Sequence, residues 1–262
     1  MAEQTQNDPQ SQPINSSKPY LRVWGPWQTA GLGLAIFAIN AAAQVGVFLG
    51  FAVKEYASNT GLDILELITG LATNGLVLSL LVIAGAAVGI PMIVVFVKAR
   101  RNVSIREYLA LEPLTKKQIL ASLGIVAGLI VLIELVGSAT GQSSDTFTVS
   151  AYQTAKPVAL LWISFVIFAP VFEETFFRGF LFAGWLKSRL GTIGTVALTS
   201  CLFAVLHIQY NLFGIMFVLV MGIALGIMRL KTGSLWSPLL MHCAWNFVGM
   251  VATALSLKGI GG

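Results

Sequence analysis

Long apolar runs, separated by short clusters of charge, set the layout of this chain. Seven such runs fall near residues 29–53, 72–97, 119–137, 157–186, 192–209, 211–228 and 235–256. Several exceed the ~18–20 residues that a helix needs to cross the hydrocarbon layer. Inside that layer only helices and closed barrels satisfy their own backbone groups. The expected fold is all-α: a polytopic membrane protein of about seven (seven or eight) transmembrane helices around an intramembrane cavity. Residues 1–26, rich in Gln, Asn, Ser and Pro, read as a disordered polar tail. They are not a cleavable signal, because the first apolar run is long enough to span. Residues 27–156 make an N-terminal set of helices with a basic loop at 98–118, residues 157–256 a second set, and 257–262 a short tail. Within the loop, Ile105, Tyr108, Leu109 and Leu111 among basic residues predict an interfacial helix that Pro113 ends. Asp63 and Glu66 are expected in the outer approach to the second helix, and Glu134 near the outer end of the third. No internal repeat is visible, so the inverted-repeat signature of many transporters is missing.

Composition agrees with that layout. The chain is 56% hydrophobic and 10% charged, against about 25% charged in ordinary soluble domains. The net charge of +5 raises nucleic acid as a partner, but the placement of the charges argues against it. Lys18 and Arg22 precede the first helix, and Lys98, Arg100, Arg101, Arg106, Lys116 and Lys117 lie between the second and third. Lys187 and Arg189 follow the fourth, and Arg229 and Lys231 follow the sixth. Only Lys54, Lys156 and Lys258 fall on the other side. By the positive-inside rule the amino terminus is cytoplasmic and the carboxyl terminus outside. The basic residues serve as topology anchors and contacts for anionic lipid, not for nucleic acid. A short polar tail without a targeting sequence points to a bacterial inner membrane. Cys201 and Cys243 have no paired spacing and read as small buried hydrophobes.

One segment breaks the apolar pattern. Glu173, Glu174 and Arg178 are the only ionisable residues between Pro157 and Trp185. Each charge at the centre of a spanning helix costs roughly 2.5–3.5 kcal/mol, and such residues are a functional-site hypothesis by default. Glu174 and Arg178, four apart, share a helical face and can pair. Glu173 points about 100° away and is left over. The chain's two histidines, His207 and His242, both lie in later apolar runs, with Phe203 four before the first and Asn246 four after the second. Glu173 is 18 residues before Gly191 and His207 is 16 after it, so an antiparallel hairpin turning at Gly191 brings the two to similar depth. If His242 joins them, the parts fit a hydrolase. Glu173 and His207 would hold a water and take its proton. His242 and Asn246, as neutral donors, would stabilise an oxyanion, about 3–4 kcal/mol per donor. Arg178 would hold Glu174, and Phe203 would fix the rotamer of His207.

These residues resemble a known family. Glu173-Glu174-x-x-x-Arg178, Phe203-x-x-x-His207 and His242-x-x-x-Asn246 are similar to the three signature motifs of the CAAX protease and bacteriocin-processing family, which includes the type II prenyl endopeptidases. The stretch from Lys231 to Pro238 also resembles the family's usual entry to its last motif. The likeness covers about residues 157–250. It implies an intramembrane endopeptidase in which Glu173 and His207 activate water and His242 and Asn246 form the oxyanion hole. Glu174 and Arg178 are included in the candidate catalytic set, although a structural ion pair has the same spacing.

Metal is an open alternative. Glu173, His207 and His242 could supply the two-histidine, one-glutamate set of a catalytic zinc. No His-Glu-x-x-His helix is present, and Asn246 is a better oxyanion donor than zinc ligand, so metal-free glutamate chemistry is preferred. Two non-enzymatic classes also remain: a bacteriocin-immunity or other binding protein, which would survive loss of Glu173, and a proton-coupled transporter. The expected substrate is a membrane-associated peptide or protein. Prenylated carboxyl-terminal motifs and bacteriocin leaders both fit the resemblance.

Overall fold

The computed structural model describes residues 23–259 except 59, 60, 62 and 143–145; most of the expected amino-terminal tail and residues 260–262 lie outside that range. Among the described residues every regular element is helical: α1 (Pro26–Ser58), α2 (Ile64–Ala72), α3 (Gly75–Ala99), α4 (Ile105–Leu109), α5 (Lys116–Thr140), α6 (Thr146–Thr154), α7 (Val158–Trp185), α8 (Gly191–Val205), α9 (Leu212–Thr232) and α10 (Trp236–Leu257). Among the described residues, α1, α3, α5, α7, α9 and α10 are long and apolar enough to cross a membrane. They occupy six of the seven expected runs.

The seventh run yields a shorter helix. α8 has 15 residues, or about 22 Å, and stops at Val205 where the apolar pattern predicts a span to residue 209. Two local bonds end it. The His207 backbone N–H donates to the Ala204 carbonyl at 3.0 Å, three residues back. The His207 ring Nδ1 takes the Phe203 carbonyl at 2.8 Å, in place of the backbone donor a longer helix would use. Asn211 then caps α9 by accepting from Gly214 N.

Aromatic and basic residues gather the helix ends on one side. Trp24, just before α1, donates from Nε1 to the Phe96 carbonyl of α3 at 3.0 Å, and the Arg100 guanidinium lies 5.2 Å from its ring centre. Trp185, closing α7, donates to the Pro26 carbonyl at 3.1 Å. The start of α1 and the ends of α3 and α7 therefore share one face, as an up-and-down bundle with indole anchors requires.

The loop helix packs its Tyr108 and Leu109 onto the bundle and leaves Arg106 and Glu107 exposed. Ser104 and Glu107 form a reciprocal cap at its start, and Ala110 leaves it with φ of 53°. Tyr108 and Leu109 are buried, and Tyr108 stacks on Phe180 of α7 at 5.8 Å. The α7 phenylalanines follow suit: Phe176, Phe177 and Phe180 are in the core, packed with Ile36 of α1, Ile93 of α3, Phe203 of α8 and Leu235. A second core joins Val126 of α5 to Met221 and Leu225 of α9 and Met241 of α10. There the buried Ser122 and Ser237 hydroxyls share a 2.8 Å bond between α5 and α10.

Candidate active site

Helix α7 is not uniformly α-helical. Residues Ser164–Phe168 and Thr175–Leu181 are wound as π-helix, a form concentrated at functional sites. Pro170 gives the first of these a chemical consequence. Ala169 N–H donates to the Ser164 carbonyl, five residues back, and Pro170 has no N–H at all. The Phe165 carbonyl thus lacks a helical donor from either position. Asn246 of α10 fills the gap, its Nδ2 donating to that oxygen at 2.8 Å.

The second π segment carries Arg178, and its ionic partner Glu174 stands just before it. Arg178 and Glu174 have fully buried side chains, with Nη1 to Oε1 at 3.0 Å. Arg178 also donates from Nη2 to the Gly222 carbonyl of α9 at 3.0 Å, and its guanidinium lies 4.6 Å from the Phe203 ring centre. A side chain at position 222 would stand 3.3 Å from that Nη2 and 3.2 Å from Ser200, so glycine lets α8, α9 and the guanidinium converge. From the α9 end, Arg229 Nε donates to the Arg178 carbonyl at 3.1 Å. This binds into the core a residue whose sequence position suggests a topology anchor.

His242 connects α10 to both glutamates. Its Nδ1 lies 2.9 Å from Glu174 Oε1 and its Nε2 3.8 Å from Glu173 Oε2. The first is a hydrogen bond and the second is too long to be one. Because a carboxylate only accepts, Nδ1 carries the proton in that bond. Glu173 is the more open of the two acids, its side chain 25% exposed against 0% for Glu174. Its Oε2 has no hydrogen-bond partner among the described residues.

His207 is fixed by the turn that ends α8. Its ring lies 4.6 Å from Phe203 and stacks parallel to Tyr210 at 6.1 Å. The Phe203 carbonyl again only accepts, so Nδ1 holds the proton and Nε2 is bare in the neutral ring. Phe203 meets His242 edge-on at 5.6 Å and so sits between the two imidazoles.

Glu173, His207, His242 and Asn246 all line one cavity of about 620 Å³, within the ~300–1,000 Å³ range of ligand sites. Its walls come from the middle of α1, the start of α3, α7 and the turn after α8, away from the Trp24 and Trp185 anchors. Glu174 and Arg178 are buried behind it. The three residues weighed as zinc ligands, Glu173, His207 and His242, do not assemble as one: among the described residues no three His, Cys, Asp or Glu side chains are grouped to hold a metal ion. Three participants escape the sequence reading: Phe165, and the Asn40 and Gln44 amides of α1 on the cavity wall. Pro170 is the signal for the first. Lone amides in an otherwise apolar helix are the signal for the last two.

Residues 155–248 match the family described as type II CAAX prenyl endopeptidase Rce1-like. A curated protein of Escherichia coli, described as an uncharacterized 24.3 kDa protein, is 29% identical over 132 residues, covering 49% of this chain and 61% of that protein. The match thus spans about three-fifths of that relative's length. No solved structure matches. The matched stretch, residues 155–248, bears all six candidate site residues, and through it this chain is similar to the Rce1-like type II CAAX prenyl endopeptidases.

Proposed function

We propose that this protein is an intramembrane endopeptidase that hydrolyses a peptide bond of a membrane-associated peptide or protein, using a glutamate-activated water. The observation that carries the reading is the convergence of Glu173, His207, His242 and Asn246 on one cavity. A water held by Glu173 and the bare Nε2 of His207 gives a proton to the Glu173 carboxylate as its oxygen attacks the scissile carbonyl carbon. The tetrahedral oxyanion collapses, the C–N bond breaks, and Glu173 returns the proton to the leaving amine. Asn246 uses one amide hydrogen on Phe165 and keeps the other for the oxyanion. His242 needs a proton on Nε2 as well as Nδ1 to donate there. In that state its charge and that of Arg178 balance Glu173 and Glu174, a neutral set suited to a low-dielectric site.

The substrates are peptides with a prenylated carboxyl terminus or apolar leader peptides. The distribution of basic residues supports an orientation with the amino terminus cytoplasmic and the carboxyl terminus outside, in a bacterial inner membrane. The test is cleavage by purified protein in detergent of a farnesylated peptide and of an unprenylated apolar peptide. Glu173→Gln, His207→Ala and His242→Ala are each expected to lose at least about 100-fold in rate. Chelation is expected to leave the rate unchanged. Activity that survives Glu173→Gln removes the mechanism, and a protective effect that survives it makes the protein a binder.

A further inference from the structure

Between Thr29 and Lys54, helix α1 has two hydrogen-bonding side chains, Asn40 and Gln44. They stand one turn apart in mid-helix, and Gln44 Nε2 donates to Asn40 Oδ1 at 2.6 Å. Polar residues in spanning helices ordinarily fasten one helix to another. This bond stays within α1, so it fastens nothing. Asn40 is 4% exposed, and Gln44 is half-buried. A carboxamide buried without partners is costly, and two carboxamides hold four N–H donors and two carbonyl oxygens, of which their mutual bond uses one each. No further hydrogen bond of either is made among the described residues.

Helix α3 makes room for the pair. A side chain at position 85 would lie 2.7 Å from Asn40 Nδ2 and 2.9 Å from Gln44 Nε2, whereas Gly85 has none. Both amides line the same cavity as Glu173, His207, His242 and Asn246, surrounded by apolar side chains such as Phe37, Phe48 and Leu81. Spare donors and acceptors, side by side in an apolar wall, match what an extended peptide shows along one edge: an N–H and a C=O from the same residue. They carry no charge, so they suit a neutral backbone better than a carboxylate or phosphate.

We propose that Asn40 and Gln44 form a peptide-binding subsite that hydrogen-bonds the backbone of the substrate near the scissile bond. This deepens the endopeptidase reading and rests on it for the identity of the ligand. Selectivity then comes from the apolar walls, while the amides fix register independently of sequence, as strand addition does at a sheet edge.

The test measures binding, so it does not depend on turnover. Full-length Glu173→Gln protein in detergent is titrated with a fluorescent, end-blocked peptide of ten apolar residues. A second series uses peptides in which one backbone N–H at a time is replaced by an ester oxygen. Asn40→Leu with Gln44→Met is expected to weaken binding about 10-fold, two neutral hydrogen bonds' worth. One ester position is expected to weaken binding to the parent and to cost nothing further in the double variant. Gly85→Ala, which removes no polar group, should weaken binding by pushing the amides aside. Elution volume and melting temperature confirm folding; if Asn40→Leu does not fold, Gln44→Met alone carries the cycle. Equal binding by parent and variant, additive ester effects, or no binding to the parent overturns the proposal. Binding that follows the amides in a protein that cleaves nothing overturns only the hydrolase reading.

Discussion

Replacing Arg178 with methionine tests how the site's charges are held. The side chain is fully buried, and three things depend on it: the 3.0 Å pair with Glu174, the 3.0 Å bond to the Gly222 carbonyl, and contact with the Phe203 ring. Breaking a buried pair from one side costs about 3–5 kcal/mol, because the other charge stays behind. An orphaned buried carbonyl adds about 1–3 kcal/mol. His242 Nδ1 remains on Glu174 Oε1 and offsets part of the first term, giving an expected loss of about 4–6 kcal/mol. Adding Glu174→Gln removes the stranded charge, and Gln still accepts from His242. The Gly222 term is common to both variants and cancels. The double variant is therefore expected to be more stable than Arg178→Met by at least about 2 kcal/mol. Reversible unfolding in mixed micelles, with helicity as the signal, measures all four corners of the cycle. A single-variant loss under about 1 kcal/mol, or a second substitution that only adds damage, would refute the claim that Arg178 neutralises a buried acid.

Three further outcomes are expected. Asn246→Leu should cost about 1–3 kcal/mol in the parent by orphaning the Phe165 carbonyl, and clearly less in a Pro170→Ala background, where a restored N–H takes that oxygen; the same unfolding assay decides it. Gly75→Ala would put a methyl 2.0 Å from the Ala151 backbone carbonyl and should destabilise by about 1–3 kcal/mol. Gly124→Ala, with open space around it, should stabilise slightly. In the loop, the Ser104 hydroxyl and then its backbone N–H hold Glu107 below its ordinary 4.5. The α4 cap is therefore intact above that value and lost as pH falls through the lowered one. An NMR titration should move the Glu107 carboxyl back toward the ordinary value in Ser104→Ala, which keeps the backbone N–H but loses the hydroxyl, and an unchanged titration would remove the hydroxyl from the explanation.

The spans were legible because lipid demands long apolar helices, and each of the seven runs became one helix. The end of α8 was not, because hydropathy reads Leu206 and Ile208 as membrane residues and cannot register an imidazole that takes over a backbone bond. Glu174 with Arg178 was readable from a four-residue spacing. His242 on Glu174 was not, since it joins residues 68 apart and depends on how α10 docks. The α7 phenylalanines looked the same as core or as lipid contacts, and only the crossing of α1, α3 and α8 decides between those. Asn246 carried a readable chemistry whose structural partner was hidden, because a missing proline donor changes hydrogen bonding without changing hydropathy.

Arg178 and Glu174 belong to one helix, while the groups that complete their surroundings come from α9 and α10. A ribosome delivers those helices after α7. Until they arrive, α7 can enter lipid as a self-neutralised rod that lacks the Gly222 acceptor and both groups of α10. The cavity that Glu173, His207, His242 and Asn246 share would then exist only once α10 has followed α7 into the bundle.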